Sequence, residues 1–138
     1  YNHLLGACGE SWMAAPALAK KLRKGFPKSL HGAPMLLPTA DTAIRRSLDQ
    51  WLDKQGVQPL IIGEFEDFAL LREFARVGRG VAPIPDVLEQ QFRCESGLEP
   101  VGAAVKVEAQ FYAISLERKI KHPAVLAICE RAGEMFPT

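Results

Sequence analysis

The sequence predicts an α/β domain built around a mostly parallel sheet. Short apolar runs and helical patterns alternate three times between residues 35 and 92. Strands separated by helices imply right-handed βαβ crossovers rather than hairpins. The 138 residues suit one ordinary domain, and 48% hydrophobic with 24% charged residues is the balance of a packed core.

The elements follow in order. Residues 1–14 hold two short extended candidates, around His3–Leu5 and Trp12–Ala14, divided at Gly6 and Gly9. Pro16 suits the first turn of a helix with Leu18, Ala19 and Leu22 as its apolar stripe, which Gly25 ends. Gly25–Pro34 reads as loop. Met35–Leu37 is a buried strand between prolines, and Thr39, Asp41 or Thr42 starts a strong helix. Ile44, Leu48, Trp51 and Leu52 recur there at helical spacing, Arg45 lies four residues before Asp49, and Gly56 closes it. Leu60–Ile62 reads as a second buried strand, continuing to Phe65. A helix from Asp67 then turns Phe68, Leu71, Phe74 and Ala75 inward and closes at Gly78. Val81–Ile84 is the third strand, Pro85-Asp86 launches a short helix through Phe92, and Val105–Leu116 is the longest strand candidate. Pro123 opens a final amphipathic helix carrying Val125, Ile128, Cys129, Ala132, Met135 and Phe136.

Several function classes are excluded at this level. A net charge of +1 lacks the basic excess of a nucleic-acid surface. Cys8, Cys94 and Cys129 are odd in number and without a CxxC pair, which indicates neither a disulfide framework nor a zinc site and fits a reducing cytosol. No run approaches the ~20 apolar residues of a membrane span, and no basic segment precedes an apolar one as in a signal peptide. The chain opens on Tyr1, almost directly before Leu4 and Leu5, which predicts that a longer protein continues upstream. His3, His31 and His122 are scattered, and no HExxH, GxSxG or Walker-type loop is present, so no acid–base pair can be named and catalysis is not expected.

Ligands of open parallel sheets bind where strand carboxyl ends lead into helix N-termini. One such loop is Pro38-Thr39-Ala40-Asp41-Thr42, whose hydroxyls and helix N–H groups suit an anion or polar ligand; ordinary N-capping by Thr39 or Asp41 is the alternative. A second is Glu64-Phe65-Glu66-Asp67-Phe68. Glu64 and Glu66 share one side of an extended segment and offer hard oxygen ligands to a cation; a solvated strand end with Asp67 as N-cap is the alternative. A third lies near Gly78-Arg79-Gly80-Val81-Ala82-Pro83-Ile84-Pro85. Its GxG lacks a third glycine and follows a helix, so a tight turn suits it better than a dinucleotide site.

Taken together these segments resemble the C-terminal effector domain of LysR-type transcriptional regulators. The resemblance is carried by Ala15-Pro16-Ala17-Leu18-Ala19, by the Pro38-Thr39 loop with its helix, and by Asp67, Leu71 and the Gly78–Pro85 run. His3-Leu4-Leu5-Gly6, Gly63-Glu64-Phe65-Glu66-Asp67, Phe111-Tyr112-Ala113-Ile114-Ser115 and Lys119-Ile120-Lys121-His122-Pro123 look like the subgroup of sodium/proton-antiporter activators.

The resemblance implies an α/β fold of the type 2 periplasmic-binding-protein kind, with one complete Rossmann-like lobe and remnants of a second. Residues 1–14 would be a remnant of the first lobe and a crossing strand, 15–106 the second lobe, and 107–138 a return strand and the first lobe's C-terminal helix. It implies a cytoplasmic, oligomeric regulator without a cofactor, reaching DNA only through a winged helix-turn-helix outside this chain. The effector would be a small molecule or an alkali cation, Na+ or Li+. Carried over residue by residue, the cleft wall would be Thr39, Ala40 and Asp41, then Glu66, Asp67 and Phe68, then Gly80 and Pro83, with Glu64 and Glu66 as possible cation ligands. The competing readings are a lobe of a periplasmic solute-binding protein and a small α/β hydrolase.

Overall fold

The structure, a computed structural model, describes residues 2–114 and Arg131. The final helix expected from Pro123 lies outside these residues. Within residues 2–114, five strands and four helices follow in order: β1 (Asn2–Ala14), α1 (Pro16–Arg23), β2 (Pro34–Pro38), α2 (Ala43–Gln55), β3 (Leu60–Phe65), α3 (Phe68–Arg76), β4 (Ala82–Pro85), α4 (Glu89–Ser96) and β5 (Glu99–Ile114). Single 3-10 turns at Lys28–Leu30 and Asp86–Leu88 fill the connections before β2 and α4.

β2 and β3 pair in parallel, while β1 lies antiparallel between β4 and β5. A parallel bridge from Met35 to Val81 joins the two sets. Its hydrogen bonds run from Leu36 N–H to Val81 O and from Val81 N–H to Pro34 O, both 2.9 Å. The strand order is therefore β3-β2-β4-β1-β5, with β2, β3 and β4 pointing the same way. Gly80 permits this join, because a Cβ there would stand 3.0 Å from the Pro34 carbonyl oxygen.

Side chains along the strands alternate between two cores, as the period of two requires. On one face Trp12, Ala14, Met35, Leu37 and Val81 meet Ala19 and Leu22 of α1 and Leu48, Trp51 and Leu52 of α2. The indole rings of Trp12 and Trp51 lie 5.8 Å apart. On the other face Met13, Leu36, Ala82 and Ile84 meet Leu71 and Ala75 of α3 and Phe92 of α4. Helices on both faces of a sheet make a three-layer α/β sandwich. No helix among the described residues is long and apolar enough to cross a membrane.

Several expectations need correction, among them the mostly parallel sheet, since β1 pairs antiparallel with both β4 and β5. Residues 2–14 form one strand, not two; Gly6 and Gly9 flank register shifts, where a glycine eases the bend of a bulge instead of ending the strand. β5 starts at Glu99 rather than Val105. The run Leu60–Ile62 is exposed, at 58%, 43% and 49%, because β3 is the outermost strand and the helices cover the strands further in. For the same reason Phe68 and Phe74 are only partly covered, while Leu71 and Ala75 carry the buried face of α3.

Candidate effector site at the carboxyl edge of the sheet

The parallel strands bring the ends of β2 and β3 together. Pro38 pairs with Phe65, and the Thr39 N–H donates to the Phe65 carbonyl at 3.2 Å. The loops carrying Thr39-Ala40-Asp41 and Glu66-Asp67-Phe68 are thus neighbours, each leading into a helix N-terminus. Ala40, Asp41, Glu66, Asp67 and Phe68 are exposed and Thr39 is half-buried.

The helix starts settle which residues cap. Thr42 caps α2: its hydroxyl accepts from the Arg45 N–H at 3.3 Å and donates to the Thr39 carbonyl at 2.9 Å. Capping therefore claims neither the Thr39 nor the Asp41 side chain. Asp67 does cap α3, its carboxylate accepting from the N–H groups of Ala69 at 2.9 Å and Leu70 at 3.4 Å. Phe68 stacks on Phe92 with centroids 5.7 Å apart, and the Arg72 guanidinium lies 5.3 Å from the same Phe92 ring.

Arg45 holds the two loops in register. It is buried near the start of α2, and one of its terminal nitrogens donates both to the Pro38 carbonyl at 2.8 Å and to the Glu64 carboxylate at 2.6 Å. Its Nε reaches Asp49 at 3.0 Å, the i,i+4 contact the spacing predicts. Glu64 is therefore engaged by a guanidinium, which disfavours it as a cation ligand, and Glu66 stands apart from that pair. Among the described residues, no three His, Cys, Asp or Glu side chains gather as a metal centre.

Gly80 and Pro83 do not join this edge. β4 runs parallel to β2 with Val81 beside Met35, so Gly80 sits at the amino end of the sheet. Pro83 is buried in mid-strand, paired with Trp12. What β4 presents at the carboxyl edge is Pro85-Asp86, and β1 places Glu10 directly opposite Pro85.

Glu10 is the residue the sequence reading passed over. It is 4% exposed, and its Oε2 has no hydrogen-bond partner. Burial, and then the charge of Asp86, push its carboxyl up to about 8. Cys8, two residues earlier and buried, is pushed up to about 11 by burial, then by Asp86 and Glu10. Gly9 makes room between them, since a Cβ there would lie 2.9 Å from an Asp86 carboxylate oxygen. Ser11 donates its hydroxyl to Glu89 at 3.1 Å. The available signal was a lone carboxylate inside the otherwise uncharged stretch Gly6–Ala14, obscured by dividing the strand at Gly9.

Comparison with known proteins gives a consistent picture. The LysR substrate binding domain family matches residues 9–137. The transcriptional activator protein NhaR of Escherichia coli (strain K12) is 32% identical over 126 residues, 91% of this chain and 40% of that protein. The chain thus spans well under half the length of that curated relative. The effector domain of the regulator AmpR of Pseudomonas aeruginosa superposes with a TM-score of 0.69 at 21% identity, covering 97% of this chain and 63% of that one. The regulatory domain of HypT from Salmonella typhimurium gives 0.71 at 16%, covering 98% and 65%.

Proposed function

Because this chain belongs to the LysR substrate binding domain family, we propose that it is the effector-sensing part of a transcriptional activator that switches on a sodium/proton-antiporter gene in response to Na+ or Li+. The observation that carries this reading is the similarity to the activator NhaR along nearly the whole chain. Regulators of this family bind small effectors, act as oligomers and bind DNA. In this reading the effector lodges against Thr39, Ala40 and Asp41 on one loop and Glu66, Asp67 and Phe68 on the next. Residues 15–106 form the lobe that carries those loops, residues 1–14 and 107–138 link it to a first lobe, and a winged helix-turn-helix elsewhere in the regulator contacts DNA. The role is binding, not catalysis, and its place is the cytoplasm, where the DNA is.

A ligand that binds the two-lobed form better than its alternatives shifts the population toward it, and the oligomer passes that shift to the DNA-binding parts. Effector binding also raises thermal stability by mass action. The intact regulator is therefore expected to melt at higher temperature in NaCl or LiCl than in KCl at equal ionic strength. Equal shifts in all three salts, or a shift only with small organic acids, would overturn the cation assignment.

A further inference from the structure

A carboxyl that loses its hydration needs a hydrogen-bond donor or a counter-charge, or it keeps its proton. Glu10 has neither partner among the described residues: its Oε2 is closed off without a hydrogen bond, and no salt bridge reaches it. Its surroundings are acidic. Asp86 stands beside it on the turn after β4, and Cys8 is the titratable neighbour on its own strand. The paired positions on β4 and β5 are Pro85 and Ala104, which bring no charge. The pair lies at the carboxyl edge of the sheet, the edge where β2 and β3 also end.

We propose that Glu10 and Asp86 together receive a small monovalent cation, an alkali-metal ion or an ammonium group, which enters in place of the Glu10 proton. This rests on the effector reading above and adds two charge-recognising residues at the same carboxyl edge of the sheet. The exchange is balanced: the Glu10 O–H bond breaks, the proton leaves to solvent, and the cation takes up the freed carboxylate. One positive charge replaces another, so the net charge of the site is unchanged, and the cation's loss of water is offset by its contacts with the buried Glu10 and the exposed Asp86 carboxylates. Two carboxylates make a hard oxygen set, while the absence of a third acidic, His or Cys ligand among the described residues disfavours a dedicated divalent or transition-metal centre. Burial first, and then the charge of Asp86, push the Glu10 carboxyl up, the direction in which it keeps its proton until a counter-charge arrives.

The test uses the intact regulator with Glu10→Gln, Asp86→Asn and, as a control at an exposed carboxylate of α4, Glu95→Gln. Gln reproduces the shape of the neutral acid, and circular dichroism and melting verify the fold of each variant. Saturable 23Na line broadening and the melting shift with methylammonium are measured for each, alongside binding to promoter DNA. Apparent cation affinity is expected to fall about tenfold or more in Glu10→Gln and Asp86→Asn and to hold in Glu95→Gln. Loss of the sodium response alone marks an alkali-ion site, and loss of the methylammonium response alone marks an ammonium site. Parent and Glu10→Gln behaving alike with both probes, including no response in either, overturns the inference. If cations alter DNA binding equally in the parent and in Glu10→Gln, the functional reading stands and this site falls. If Glu10→Gln loses cation binding while cations leave DNA binding of the parent unchanged, the site stands and the functional reading falls.

Discussion

Glu10 gives up nearly all its hydration on folding and, among the described residues, gains Asp86 and not a cation as its charged neighbour, so the folded chain holds a proton there that the unfolded chain releases. The sign of the pH dependence follows. With the carboxyl raised from 4.5 to about 8, the native state binds more protons across that interval, and stability falls as pH rises through it, levelling above about 8. Each tenfold in acidity is worth about 1.4 kcal/mol, so Glu10→Gln is expected to gain a few kcal/mol over the parent near pH 9 and almost nothing near pH 4. Urea unfolding across that range checks it; parallel stability–pH curves for the two proteins would contradict the buried-acid account. Arg45 illustrates the opposite arrangement. Its charge is buried with the Glu64 and Asp49 carboxylates and the Pro38 carbonyl around it, so it ties two loops together without an unmet charge.

Elements at the carboxyl edge are held by their caps. α2 starts where Thr42, and not Thr39 or Asp41, turns its hydroxyl onto the Arg45 N–H. Losing a Thr cap costs about 0.5–2 kcal/mol, so Thr42→Ala should lower unfolding free energy by that much, while Thr39→Ala should change it by less than about 0.5 kcal/mol. Chemical denaturation of the two variants side by side reads the difference, and the reverse order would place the cap at Thr39. A Thr39 side chain outside the cap remains available to a ligand on the edge. Asp67 is different: its carboxylate serves the N–H groups of Ala69 and Leu70, so any ligand there competes with the first turn of α3.

Across the whole molecule, the sheet depends on the narrow β2–β4 join. Its hydrogen bonds at Val81 hold the β3-β2 pair to the β4-β1-β5 set, and the two cores pass through that seam. Gly80→Ala would put a methyl group 3.0 Å from the Pro34 carbonyl oxygen and force the strands apart. Overpacking of this kind costs about 1–3 kcal/mol, expected here as a lower denaturation midpoint. An unchanged midpoint would mean that the seam can give without strain. The outer strand β3 shows the other consequence of this order, with Leu60, Ile61 and Ile62 at the surface although their sequence is that of a buried strand.

Local pattern carried much of this protein. The alternation of strand and helix from 35 to 92, the apolar stripes of α1 and α2, the stop at Gly56 and the Arg45–Asp49 contact all depend on neighbours within a few residues, so the sequence displays them. The loops of Thr39 and Asp67 were legible for the same reason, since strand ends and helix starts are local events. Strand order, by contrast, belongs to pairings between distant segments. Only the folded sheet decided that β3 lies outermost and exposes its apolar run, and that Gly80 falls at the far end from the candidate site. Only the antiparallel register of β1 against β4 set Glu10 opposite Pro85 and next to Asp86. Whether a carboxyl is solvated or starved of charge depends on what lies across the sheet, and residues 76 positions apart along the chain set that at Glu10.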